Sequence, residues 1–122
     1  MSQKSQVMVV DDDLAMCGFL RTFLGSHNYN ALTVTNADEA LRRFHAERPA
    51  AVLLDVVMPG MDGPTMVREA RESRPDLKIL FMSGYAEEQL RKSIDIENVN
   101  FLPKPFSVTE LAEAARRTVM PK

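Results

Sequence analysis

Short, dense apolar runs alternate along this chain with longer stretches in which apolar residues recur every three or four positions. The runs stand at Val7 to Val10, Ala31 to Val34, Ala51 to Leu54, Lys78 to Met82 and Val99 to Leu102, and each predicts a strand. Three of them lack polar alternation, as a strand covered on both faces requires; the second, with Asn30 and Thr33, reads as an edge. Between the runs, Met16, Phe19, Leu20, Phe23 and Leu24 share one helical face, and Gly25 is the expected stop. Asn36 with Glu39 forms a capping-box signature before Ala40, Leu41 and Phe44, and Ser107 with Glu110 repeats it before Leu111, Ala114 and Ala115. Pro64 suits the first turn of a helix carrying Met66, Val67 and Ala70, which must end before Pro75. Ala86 to Ile94 reads as a further helix with a thin apolar stripe and a charged face. Strands alternating with helices, with no repeat or linker, predict an α/β fold: one doubly wound parallel sheet in a single domain over residues 1–122.

Composition narrows this little but excludes much. With 45% hydrophobic and 26% charged residues, the 122-residue chain has ordinary globular composition, large enough for one core and too short for a second folded output domain. A net charge of -2 supplies no basic field for nucleic acid. Cys17 is the only cysteine, so no internal disulfide can form. The opening MSQKSQ leads directly into an apolar run, with no signal segment and no span long enough to cross a bilayer. The expected setting is the reducing cytoplasm.

The polar residues are informative because of where they fall. In an open parallel α/β sheet, the carboxyl ends of the strands form one edge, where ligands bind. The first strand runs into Asp11, Asp12 and Asp13, the third into Asp55, the fourth into Ser83 and the fifth, through Pro103, into Lys104. Carboxylates gathered so closely repel, and a cation resolves the conflict. An oxygen-only donor set suits Mg²⁺, while the absence of a cysteine or of His27 or His45 at a strand end argues against zinc. A carboxylate beside such a metal can attack phosphorus and form an aspartyl phosphate, with the metal and Lys104 neutralising charge on the transferred oxygens and Ser83 binding another.

The motifs VVDDD (9–13), DVVMPGMDG (55–63), MSGYA (82–86) and FLPKPF (101–106), in this order and each at its own strand end, resemble the receiver domain of bacterial two-component response regulators from about Val7 to Val119. The resemblance implies a flavodoxin-like (βα)5 fold with strand order 2-1-3-4-5. It implies Asp55 as phosphoacceptor, Asp12 as a direct Mg²⁺ ligand, Asp11 acting through water, and the Val57 carbonyl completing the protein ligands. It further implies that Ser83 contacts the phosphoryl group, that Lys104 pairs with it across a cis Lys104–Pro105 bond, and that Phe101 is the aromatic switch. The donor would be a histidine kinase or a phosphotransfer protein. The responding surface would be the face formed by the Ala86–Ile94 helix, the fifth strand and the last helix, presenting Glu87, Glu88, Arg91 and Lys92 to a protein target. Ser83 stands where threonine is commoner, and Val57 and Tyr85 stand where the family varies. DVVMPGMDGP, FMSGYAEE and FLPKPFS are also similar to the C-terminal receivers of hybrid sensor kinases, particularly the alphaproteobacterial cell-cycle hybrid kinase.

Plainer readings stand beside these. Asp13 reads best as a helix cap, Cys17 as a small core residue, the methionines other than Met58 and Met61 as core filler, and the histidines as surface residues. Asp55 as a turn former, Lys104 as a loop lysine, Ser83 bonding its own turn and Phe101 as plain core are the alternatives to the switch roles. Two rival functions are a Mg²⁺-dependent phosphohydrolase, which should carry a cap insertion and a second acid, and a pseudo-receiver that no longer takes phosphate, which should have lost part of the acid–lysine set. Neither pattern is found, and the chain reads as a switch that modifies itself rather than as an enzyme.

Overall fold

The computed structural model describes residues 5–55, 63–83, 96, 98–103 and 106–119. They form β1 (Ser5–Val10), α1 (Leu14–Ser26), β2 (Tyr29–Val34), α2 (Ala37–Glu47), β3 (Ala51–Asp55), α3 (Gly63–Ser73), β4 (Lys78–Ser83), β5 (Asn100–Pro103) and α4 (Val108–Val119). The predicted helix at 86–94 lies outside the described residues. The five strands make one parallel sheet in the order β2-β1-β3-β4-β5. Both the flavodoxin-like architecture and the implied strand order are thereby observed, and β2, hydrogen-bonded only to β1, is the edge that Asn30 and Thr33 announced.

The apolar runs are continuous because both faces of the sheet are covered. Val7 and Val9 of β1 pack with Leu53, Leu80 and Met82 against α1 and α4, while Met8 and Val10 pack with Val52, Leu54 and Phe81 against α2 and α3. Successive strand residues enter opposite layers, so polar alternation would bury a polar group in one of them. Each fully buried Val, Leu or Met contributes about 1.5 to 3 kcal/mol of transfer free energy. Met8, Met66 and Met82 are among these core residues, as expected of filler.

Helix ends follow the capping signals, with one correction. Asn36 Oδ1 accepts the Glu39 N–H at 2.8 Å, and Ser107 and Glu110 form a reciprocal box, Glu110 N–H to Ser107 Oγ at 3.0 Å and Ser107 N–H to Glu110 Oε1 at 2.9 Å. Gly25 does not stop α1, which runs through Ser26. The left-handed turn falls instead on Asn28, at φ 68°, whose N–H reaches the Gly25 carbonyl at 3.2 Å. Asparagine tolerates this conformation better than other side-chain-bearing residues, so the glycine is not needed there. None of the helices among the described residues is long and apolar enough to cross a membrane.

Candidate functional site

β1 and β3 pair in register from Val7–Ala51 to Val10–Leu54, so their carboxyl ends emerge side by side, Asp11 just after β1 and Asp55 as the last residue of β3. The Asp11 N–H donates to the Val34 carbonyl of β2 at 3.0 Å, prolonging the pairing by one residue and holding the turn. The Asp11 side chain is 0% exposed, and its Oδ1 accepts the Asp13 N–H at 3.0 Å. Asp12 is exposed and Asp55 half-buried. One oxygen from each of Asp11, Asp12 and Asp55 lies within 4.8 Å of the others.

Asp13 is set apart from this cluster. Its Oδ1 accepts the Ala15 and Met16 N–H groups at 3.0 and 3.3 Å, making it the cap of α1. Cys17, on the first turns of α1, packs in the core as expected, and its thiol donates to the Asp11 carbonyl at 3.3 Å. Burial first, then the charge of Asp11, pushes the Cys17 thiol up from its ordinary range, which keeps it a neutral donor.

At such separations each pair of carboxylates repels by roughly 1 kcal/mol in water and 3 kcal/mol at an effective dielectric of 20. The arrangement suits a hard divalent cation: the cluster offers oxygen alone, and oxygens on one Mg²⁺ stand about 3 to 4.2 Å apart. A cluster spanning up to 4.8 Å therefore admits the ion with one carboxylate bridging through water. His27 and His45 are both surface residues.

Of the other predicted site residues, Ser83 ends β4, one residue past the Met82 that pairs with Asp55; its side chain lies outside the described residues. So do Val57, Tyr85, the Lys104–Pro105 bond and the charged residues Glu87, Glu88, Arg91 and Lys92. Pro103, which precedes Lys104 in the chain, closes β5 opposite Ser83. Phe101 is 7% exposed, and its ring stacks on Phe81 with centroids 5.7 Å apart and 24° between planes.

Sequence reasoning missed a surface beside the rim. Two large apolar residues among those described stand exposed, Leu14 at 73% and Val108 at 64%, each the first residue of its helix. Between those two helix starts runs a shallow groove of about 260 Å³ lined by Met16, Phe19, Phe106 and Leu111, with Asp13 at its margin. The available signal was spacing: Leu14 is in phase with the buried Cys17, but a first helical turn stands at the rim, where no strand is left to cover it.

Comparison with known proteins converges on one family. The profile of the response regulator receiver domain matches residues 7–116. The chain is 38% identical over 113 residues to the sensor kinase CckA of Brucella abortus, covering 90% of this chain and 12% of that protein. It spans 48% to 49% of the length of other regulators it matches. The crystal structure of the receiver domain from the hybrid histidine kinase CckA superposes with a TM-score of 0.77 at 28% identity, covering 95% of this chain and 100% of that one. The response regulator TrrA from Thermotoga maritima, in complex with Mg(2+)-BeF, superposes with a TM-score of 0.79 at 28% identity over 93% of this chain and 98% of that one.

Proposed function

Because the chain belongs to the response regulator receiver domain family, whose members act in two-component signalling, we propose that it is a phosphorylation switch with Asp55 as its phosphoacceptor. The observation that carries this reading is the convergence of Asp11, Asp12 and Asp55 within 4.8 Å at the carboxyl edge of the sheet. A Mg²⁺ ion bound by Asp12 and Asp55, with Asp11 through water and the Val57 carbonyl, would neutralise charge on the transferred oxygens. An Asp55 carboxylate oxygen attacks the phosphorus of a phosphohistidine in line, the P–N bond breaks and the imidazole leaves with its electron pair. Ser83 and Lys104 take the remaining phosphoryl oxygens through charge-assisted hydrogen bonds. The acidic cluster and the likeness to a protein solved with Mg(2+)-BeF support this assignment.

The donor is a histidine kinase or a phosphotransfer protein, and the apolar groove between α1 and α4, with Asp13 at its margin two residues along the chain from Asp11, offers it a docking surface. The receiving target contacts the face formed by the 86–94 segment, β5 and α4. Inverting a 1:99 equilibrium between resting and active forms takes about 5.5 kcal/mol of differential binding, within reach of several charge-assisted contacts to one phosphoryl group. We place this activity in the cytoplasm, within one receiver unit.

Exposure to acetyl phosphate and Mg²⁺ followed by intact-mass measurement tests the reading. Wild type should gain one phosphoryl group and Asp55→Asn none. No gain in wild type would leave the pseudo-receiver, and turnover of a small phosphomonoester far beyond one equivalent would establish the phosphohydrolase.

A further inference from the structure

Among the described residues, three other than glycine take the left-handed backbone: Asn28 at φ 68°, Asn98 at φ 58° and Arg48 at φ 53°. Asparagine tolerates this conformation, but arginine has no local bond to gain from it, and glycine would end α2 at lower cost. Arg48 nonetheless caps α2, its N–H donating to the Phe44 carbonyl at 2.8 Å. Its side chain lines a depression of about 590 Å³ at the amino edge of the sheet, together with Gln6, Glu47 and Arg74. A strained residue that brings a charge to a concave surface points to a use for that charge.

The other groups around the depression agree. Arg74 is half-buried and oriented, with Nη1 donating to the Pro49 carbonyl at 2.7 Å and the guanidinium carbon 6.0 Å from the Phe44 ring centroid. That bond engages one of its five donors. Glu47 pairs with Arg43 at 3.9 Å, so its charge is answered within α2. The carboxyl ends of α2 and α3 also lie here, each equivalent to about half a negative charge, against two full guanidinium charges. The local field is therefore positive. Gln6 on β1 is partly exposed, yet its Oε1 is shut off from water and accepts no hydrogen bond. Such an acceptor is rare in a folded chain, and the soft terminal torsion of glutamine lets it turn toward a donor brought into the depression.

We infer that this depression binds a small organic oxyanion bearing hydroxyls, with its phosphate or carboxylate on Arg48 and Arg74 and a hydroxyl donating to Gln6 Oε1. Its volume is that of a small-molecule site, and its lining suits a polar ligand. The site stands at the opposite edge of the sheet from Asp11, Asp12 and Asp55, and it does not depend on phosphoryl transfer there.

In buffer without Mg²⁺ the acidic rim repels anions, so an anion bound to the wild-type protein reports the amino edge. Ribose 5-phosphate, followed by NMR, should shift the amide resonances of Gln6, Arg48 and Ala50 saturably, and inorganic phosphate should shift the same amides with lower affinity. Arg48→Gly should raise the thermal midpoint, because glycine takes the left-handed backbone freely, and weaken both probes by about tenfold, the loss of one charge-assisted contact. A merely structural arginine would give the first change without the second. Gln6→Leu should weaken ribose 5-phosphate by roughly two- to twelvefold and leave inorganic phosphate unchanged; Gln6→Met gives the same measurement should Gln6→Leu fail to fold.

No saturable shift at these amides, shifts confined to the acidic rim, wild-type affinity in Arg48→Gly, or an equal loss of both probes in the Gln6 variant would overturn the inference. None of these results bears on phosphoryl uptake at Asp55, and a wild type that takes up no phosphoryl group would leave this site standing.

Discussion

At the carboxyl edge of the sheet, Asp11, Asp12 and Asp55 bring like charges within 4.8 Å of one another. At the amino edge, charge is directed onto backbone carbonyls instead. The Arg71 guanidinium donates to the Leu77 carbonyl before β4 at 2.6 and 3.2 Å and to the Asn98 carbonyl before β5 at 2.6 Å. Arg74 donates to the Pro49 carbonyl before β3 at 2.7 Å and lies over the Phe44 ring, 6.0 Å from its centroid. Burial draws the Arg71 guanidinium below its ordinary range, yet it stays charged and keeps all its donors. One edge stabilises strand starts; the other accepts repulsion. The same parallel sheet thus separates the edge that holds the strand starts from the edge that gathers the acidic cluster, to which the proposed cation and phosphoryl roles are assigned.

The sharpest way to break this division is to remove the basic latch. Arg71→Met should lower the free energy of unfolding by about 2 kcal/mol, from lost charge-assisted hydrogen bonds to two carbonyls, as read by denaturant titration. Its Mg²⁺ affinity should match wild type. A large fall in Mg²⁺ affinity would show that the two edges are coupled.

At the acidic edge the expected sign is opposite. Asp12→Asn should raise stability without metal by about 1 kcal/mol, through relief of like-charge repulsion near the surface. The same substitution should diminish the stabilisation that Mg²⁺ confers on wild type. Thermal unfolding with and without Mg²⁺ reads both effects, and a destabilised metal-free variant would contradict the repulsion argument.

The smallest effect belongs to the lower end of α1, near the amino edge. Gly25 lies inside the helix, and a Cβ built there meets no atom within 4 Å. Gly25→Ala should therefore stabilise by about 0.5 to 1 kcal/mol. A loss of stability would mean that the helix ends at Gly25 in a left-handed turn, as the sequence alone suggested.

Much of the carboxyl edge was legible without coordinates, because each of its acids directly follows or ends an apolar run and topology sends those ends to one side. The caps at Asn36 and Ser107 were legible for a similar reason: a cap is a bond between residues two or three apart, and its signature lies within one short window. The strands were found, with small shifts at their amino ends: β1 begins at Ser5 and β2 at Tyr29, because ladder pairing continues past the apolar segment, while β5 begins at Asn100, one residue later than its run. The Arg71 and Arg74 latches were missed because their partners lie up to 27 residues away and are carbonyls, which every residue carries. The stacking of Phe81 on Phe101 was missed because it depends on the register between two strands, which an apolar pattern fits equally well in several alignments.

By itself, the order of residues determined which segments would be strand or helix, that both faces of the sheet would be covered, and which acids would crowd its rim. These properties depend on periodicity and on the handedness of parallel crossovers, both written locally in the chain. Only the tertiary structure decided which ring meets which, which carbonyls receive a guanidinium, and where a first helical turn stands past the end of the sheet as an apolar surface. Those are distances between segments far apart in the chain, and they follow from how the layers pack.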